Sequence, residues 1–96
     1  MKPSEALELH RLKLREIVAR HGALFPRVFG STIHGDDTDG SDLDLLVDPT
    51  SRTTLMTLAA IQIEAERLLG VHVDVLTPKS LPLRYRESVL GEAMPV

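Results

Sequence analysis

Apolar residues recur along this chain with two different periods, and the changes of period lay out the elements. From Ser4 to Gly22 the spacing is helical. Leu7, Leu14, Ile17, Val18 and His21 fall on one face, Ser4 stands at the N-cap position with Glu5 in the first turn, and Gly22 can end the helix. "ALFPRVFGS" predicts a short strand, with Pro26 tolerated near its start or at an edge. "STIHGDDTDGS" is a turn-rich connection, and "LDLLVD" is a strand closed by Asp48-Pro49. Ser51 or Thr53 can cap a second helix, whose face is Leu55, Leu58, Ala59, Gln62, Ala65, Glu66 and Leu69, with Gly70 as its stop. "VHVDVL" alternates and is β-branched, which predicts a third strand. Thr77-Pro78 ends it, and a last short helix covers about Leu83 to Leu90.

Strands alternating with helices imply an α/β sheet with helices packed on it. The two strands flanking the Leu55–Leu69 helix can pair in parallel through a right-handed crossover. A mixed sheet fits the same pattern equally well. With 96 residues in all, the expectation is a single small domain over residues 1–96 with a modest core. No internal repeat is visible.

The same alternation sorts the carboxylates. On "SDLDLLVD", Asp42, Asp44 and Leu46 point one way and Leu43, Leu45 and Val47 the other. Acids two residues apart on one strand face lie roughly 6–7 Å apart at their Cα atoms. One divalent cation can gather both; without it they repel and one pKa rises. On "VHVDVL", Val71, Val73 and Val75 share a face, and His72, Asp74 and Leu76 share the other. If the two strands are neighbours, Asp74 joins Asp42 and Asp44 while the valines join the core. Three converging carboxylates make a hard oxygen site suited to Mg²⁺ or Mn²⁺. Gly30-Ser31 follows a strand and starts a turn or short helix, where a phosphate can approach the backbone and take hydrogen bonds from N–H groups and the hydroxyl.

Charge distribution sharpens this. Met1 to Arg27 carries six Lys/Arg against three Asp/Glu, whereas Asp36 to Asp48 carries six Asp and neither Lys nor Arg. The acidic segment is a cation site in part, and a solvated loop in part: Asp36, Asp37 and Asp39 read as a polar turn. An EF-hand loop does not fit, because the positions flanking Gly40 would make Gly35 and Leu46 ligands. The net charge of −3 argues against duplex nucleic acid as the partner, and Phe25, Phe29 and Tyr85 are too few to build a base-stacking platform. The absence of cysteine removes disulfides and thiolate metal sites. With no apolar segment of spanning length and no signal-peptide core, the expected location is the cytoplasm.

Gly30-Ser31, ten intervening residues and Asp42-Leu43-Asp44 resemble the motif of the nucleotidyltransferase superfamily of the DNA polymerase β type. The size, the helix before the motif and the ending "TPKSLPLRYRESVLGEAMPV" are similar to its minimal nucleotidyltransferase branch, which includes antitoxins paired with HEPN-domain toxins. The resemblance implies a mixed sheet of three to four strands with flanking helices. It implies Asp42, Asp44 and Asp74 as catalytic residues and ligands of Mg²⁺ or Mn²⁺, with Gly30 and Ser31 at the phosphates of ATP. It further implies transfer of AMP to a tyrosine hydroxyl of a HEPN toxin, in a homo- or hetero-oligomer. The alternative within the same family is an antitoxin that neutralises its partner by occupancy alone. A small-molecule transferase is disfavoured, since no residues remain for an added substrate domain.

One feature departs from the family pattern: where related chains carry a basic residue soon after Gly-Ser, this one has "GSTIHG". His34 is then the nearby candidate for nucleotide contact, and Lys79, Arg84 and Arg86 are candidates for the triphosphate. His72 is expected to be a strand-edge or supporting residue, not a ligand, and Tyr85 a packing residue.

Overall fold

A computed structural model describes residues 1–96. The elements run α1 (Pro3–Arg20), β1 (Leu24–Phe29), α2 (Ser31–His34), β2 (Leu43–Asp48), α3 (Leu55–Leu69), β3 (Val73–Leu76), a 3₁₀ turn (Pro78–Ser80), α4 (Leu83–Glu92) and β4 (Met94–Pro95). The strands form one mixed sheet in the order β3-β2-β1-β4. β2 and β3 are parallel, and β1 is antiparallel to both β2 and β4. Both pairings that the sequence left open are therefore present, the parallel one across α3.

The core lies between one sheet face and the helices α1 and α3. Leu43, Leu45 and Val47 are fully buried on that face, joined by Val73, by Leu14 and Val18 of α1, and by Ile61 and Ala65 of α3. Leu46 has the opposite parity yet is also fully buried, where β2 meets the 3₁₀ turn. No helix is long and apolar enough to cross a membrane.

Several local expectations need correction. α1 starts two residues earlier than an N-cap at Ser4 allows: Lys2 is the N-cap and Pro3 the first helical residue, where proline's missing N–H is no loss. His10 leaves helical geometry (φ −129°, ψ 21°) and kinks α1. α3 is capped by Thr54, which accepts from the Thr57 N–H while the Thr57 hydroxyl accepts from Thr54 N–H. Thr53 is unavailable for that task because its hydroxyl donates to Gly22 O and accepts from Thr50 N–H. The buried face of α3 is centred on Ile61, Ala65 and Leu69, whereas Leu55 and Ala59 are exposed. The register slips between Leu24 and Arg27, so Pro26 sits in a bulge, which spares the ladder a missing donor. β4 was invisible in the sequence because two residues carry no period; Val96 N–H to Pro26 O and Arg15 Nε to Val96 O hold the chain end there. Tyr85 is half exposed, with the Arg84 guanidinium 4.8 Å above its ring.

Candidate functional site

The parallel register of β2 and β3 makes Asp44 and Asp74 direct Cα partners, and the antiparallel register of β1 sets Phe29 opposite Asp44. Two carboxylates thus stand side by side on the sheet face away from the core. The next two residues of β1's chain, Gly30 and Ser31, emerge at the same end. Asp42 lies just before β2, where the Leu43 N–H donates to His72 O at 2.8 Å and brings the two segments together. Ligand atoms of Asp42, His72 and Asp74 all lie within 4.8 Å of one another.

Gly30 has φ 79° and ψ −148°, a region that only glycine occupies without strain. A Cβ placed there would stand 2.6 Å from Asp44 Oδ2. Ser31 then opens the single turn of α2, which Gly35 closes in the left-handed region at φ 73°.

Burial and like charge meet at these acids. Burial, and then the charges of Asp74 and Asp42, raise the Asp44 pKa above the ordinary carboxylate value, against a smaller opposing pull from His72. Desolvation favours neutral His72, but the hydrogen bond to Asp74 and the charges of Asp74, Asp42 and Glu66 together outweigh it and raise its pKa. Its Nε2 is 3.1 Å from Asp74 Oδ1 and its Nδ1 2.7 Å from Glu66 Oε2. Glu66 Oε2 also accepts the Val73 N–H at 3.0 Å, and this bond is the main reason that its pKa is held low. Oxygen donors on adjacent strands, with unrelieved like charge at Asp44, fit a divalent cation by the chemistry of the donor set.

The other predicted residues fall elsewhere. Asp36 and Asp39 are exposed loop residues, as expected. Asp37 is not: it is buried, and its Oδ2 accepts the Ser4 N–H at 2.8 Å. A carboxylate across the open N-terminus of α1 meets an otherwise unpaired donor, and no local signal in the sequence marks that contact. His34 Nε2 lies 3.2 Å from Glu92 Oε2. It lines a cavity of about 440 Å³ with Leu7, Arg11, Thr32 and Met94, and none of Asp42, Asp44 and Asp74 borders that cavity. Arg86 is engaged with the carbonyls of Lys79 and Leu81, and Lys79 is exposed in the turn after β3. Glu66 is the neighbour that sequence reasoning missed. The helical spacing puts it on the packed face of α3, and its carboxylate meets the His72 ring and the Val73 N–H.

The family model of the nucleotidyltransferase domain matches residues 11–95. The protein adenylyltransferase MntA of Thermococcus cleftensis is 34% identical over 88 residues, covering 92% of this chain and 86% of that protein. A protein of Methanocaldococcus jannaschii, described as a candidate protein adenylyltransferase, is 33% identical over 84 residues, 88% of this chain and 90% of that one. Among solved structures, a candidate minimal nucleotidyltransferase superposes with TM-score 0.86 at 43% identity, covering 97% of this chain and 95% of its own. A toxin-antitoxin crystallised with AMP-PNP shares the fold, with TM-score 0.73 at 16% identity over 88% of this chain and 69% of that one.

Proposed function

The chain belongs to the nucleotidyltransferase domain family, and from that premise we propose that it transfers AMP from ATP to a tyrosine hydroxyl of a HEPN-domain toxin, silencing that partner. The observation that carries the reading is the side-by-side pairing of Asp44 and Asp74, with Asp42 beside them and Gly30-Ser31 at the end of the next strand. Relatives of similar length named for protein adenylylation support a protein as the acceptor.

In this proposal Asp42, Asp44 and Asp74 hold Mg²⁺ or Mn²⁺, which when bound supplies charge neutralisation for the triphosphate and the departing pyrophosphate. Gly30, without a side chain, lets the backbone before α2 and the Asp44 carboxylate approach each other, and Ser31 donates its hydroxyl and backbone N–H to the nucleotide. The tyrosine oxygen attacks the α-phosphorus, the bond from that phosphorus to the bridging oxygen breaks, and pyrophosphate leaves with the electron pair. Asp74, half exposed on the edge strand, takes the hydroxyl proton. His34 stays outside this assignment, because its ring meets Glu92 over the separate cavity.

The test is transfer of label. The protein is incubated with α-labelled ATP, a divalent cation and the HEPN-domain protein encoded beside it. Label on a partner tyrosine, lost in Asp42→Asn and Asp44→Asn, is expected. An unlabelled partner that is nevertheless neutralised, equally by wild type and by both variants, would show inhibition by occupancy and overturn the transfer.

A further inference from the structure

His72 stands among the carboxylates on this sheet face, the three-aspartate assignment gives it no role, and its ring is held on both sides. On one side, Nδ1 is 2.7 Å from Glu66 Oε2. Glu66 is itself anchored, since the same oxygen accepts the Val73 N–H at 3.0 Å. A fixed carboxylate on Nδ1 holds a proton on that nitrogen, so a cation that displaces the proton shared by Nε2 and Asp74 meets the Nε2 lone pair. On the other side, Nε2 is 3.1 Å from Asp74 Oδ1, and a ring nitrogen lies within 4.8 Å of a carboxylate oxygen of Asp42. A carboxylate, an imidazole and a cation in line is the usual way a protein orients a histidine ligand.

We propose that His72 is a nitrogen ligand of the cation site, oriented by Glu66 as a positioning residue, and that it biases the site toward a first-row transition-metal ion over Mg²⁺. The inference rests on the cation site of the proposed function and adds the donor that sets its selectivity. Mg²⁺ favours oxygen donors and gives up water reluctantly, whereas transition-metal ions gain from an imidazole nitrogen. Mn²⁺ is the suitable probe, because it accepts carboxylates as readily as Mg²⁺ does and reports its ligands magnetically.

The experiment uses the whole chain loaded with Mn²⁺ and no nucleotide. Pulsed electron paramagnetic resonance should show modulation from a directly bound ¹⁴N, and that signal should vanish in His72→Gln. Titration should show Mn²⁺ affinity falling at least about tenfold in His72→Gln, with Mg²⁺ affinity changing less than about twofold. Glu66→Gln keeps an acceptor for Val73 but loses the charge behind the ring. It should retain the ¹⁴N signal and lose roughly tenfold in Mn²⁺ affinity; unchanged affinity would remove Glu66 from the proposal. Mn²⁺ bound in wild type, lost in Asp42→Asn/Asp74→Asn, but without ¹⁴N modulation, overturns the ligand role and leaves the carboxylate site standing. Equal weakening of Mn²⁺ and Mg²⁺ in His72→Gln overturns the selectivity. Absence of any Mn²⁺ binding by wild type overturns both this inference and the cation site it rests on. His72 is half exposed, so its replacement leaves the core intact, and circular dichroism checks this.

Discussion

Asp44 Oδ2 occupies the space in which a side chain on Gly30 would begin, 2.6 Å from the missing Cβ. The glycine is therefore held by two constraints at once, a backbone conformation at φ 79°, ψ −148° and a carboxylate pressed against it. Gly30→Ala should cost about 1–3 kcal/mol from the backbone alone, and it must also push Asp44 away from Asp74. Gly35→Ala is the control: its φ is 73°, but nothing lies within 4 Å of its would-be Cβ. That change should cost about 1–2 kcal/mol and leave label transfer near wild type. Thermal melts and the labelling assay on both variants separate strain from damage to the site; equal loss of labelling in the two would contradict the assignment of Gly30.

The raised pKa of Asp44 has a stability consequence. The folded protein binds a proton at Asp44 more tightly than the unfolded chain does, so this group favours folding below the ordinary carboxylate pKa of 3.8. That advantage is lost as pH rises through the raised value, and at neutral pH the ionised side chain is a net cost. Asp44→Asn removes the charge and nearly keeps the shape. In chelator at pH 7 it should melt above wild type, with the difference shrinking as pH falls, and it should abolish label transfer. A lower Tm for the variant at pH 7 would show that hydrogen bonds of the carboxylate outweigh its repulsion.

How far the sequence disclosed all this depends on the range of the interaction. Alternation on "LDLLVD" separated the acids from Leu43, Leu45 and Val47, and those three are fully buried. Alternation on "VHVDVL" likewise set Asp74 and His72 on the side of Asp42 and Asp44, and the parallel register brings them together. Parity is a local property of a strand, so it survives folding unchanged. Apolar spacing on α3 draws a face over Leu55, Leu58, Ala59, Gln62, Ala65, Glu66 and Leu69, of which Leu55 and Ala59 are exposed, while Ile61, outside it, is fully buried. Which side of a helix meets the sheet is set by the tertiary packing, which no window of sequence contains. Glu66 and Asp37 escaped for a related reason. Each acts through a hydrogen bond to a backbone N–H of another element, and a backbone group has no signature in composition.

Asp37 shows what such a contact is worth. It is buried against the Ser4 N–H at the N-terminus of α1. Burial opposes its ionisation, but the Ser4 hydrogen bonds, its own backbone and the charge of Lys2 prevail, and the pKa is lowered. Its contribution is therefore present above the ordinary carboxylate range and lost as pH falls through the lowered pKa. Asp37→Ala should cost about 1–2 kcal/mol, or roughly 4–8 °C in Tm per kcal/mol for a chain of this size. Asp39→Ala, on an exposed neighbour, should change Tm little. Melts of the two variants at pH 7 and pH 3 check both the size and the direction: the Asp37→Ala deficit should narrow at the lower pH.

A cation held by Asp42, Asp44 and Asp74 must stabilise the fold, because it offsets the burial and the like charges of Asp74 and Asp42 that raise the Asp44 pKa. Binding to the folded state alone adds RT ln(1 + [L]/Kd), about 2.7 kcal/mol at a hundredfold excess over Kd. Tm should therefore climb with the logarithm of Mn²⁺ or Mg²⁺ concentration and fall back on adding chelator. Asp44→Asn and Asp74→Asn should flatten that climb, whereas Asp36→Asn and Asp39→Asn, on the exposed loop, should leave it unchanged. A climb that persists in Asp44→Asn/Asp74→Asn but disappears in the loop variants would move the cation from the strand face to the turn.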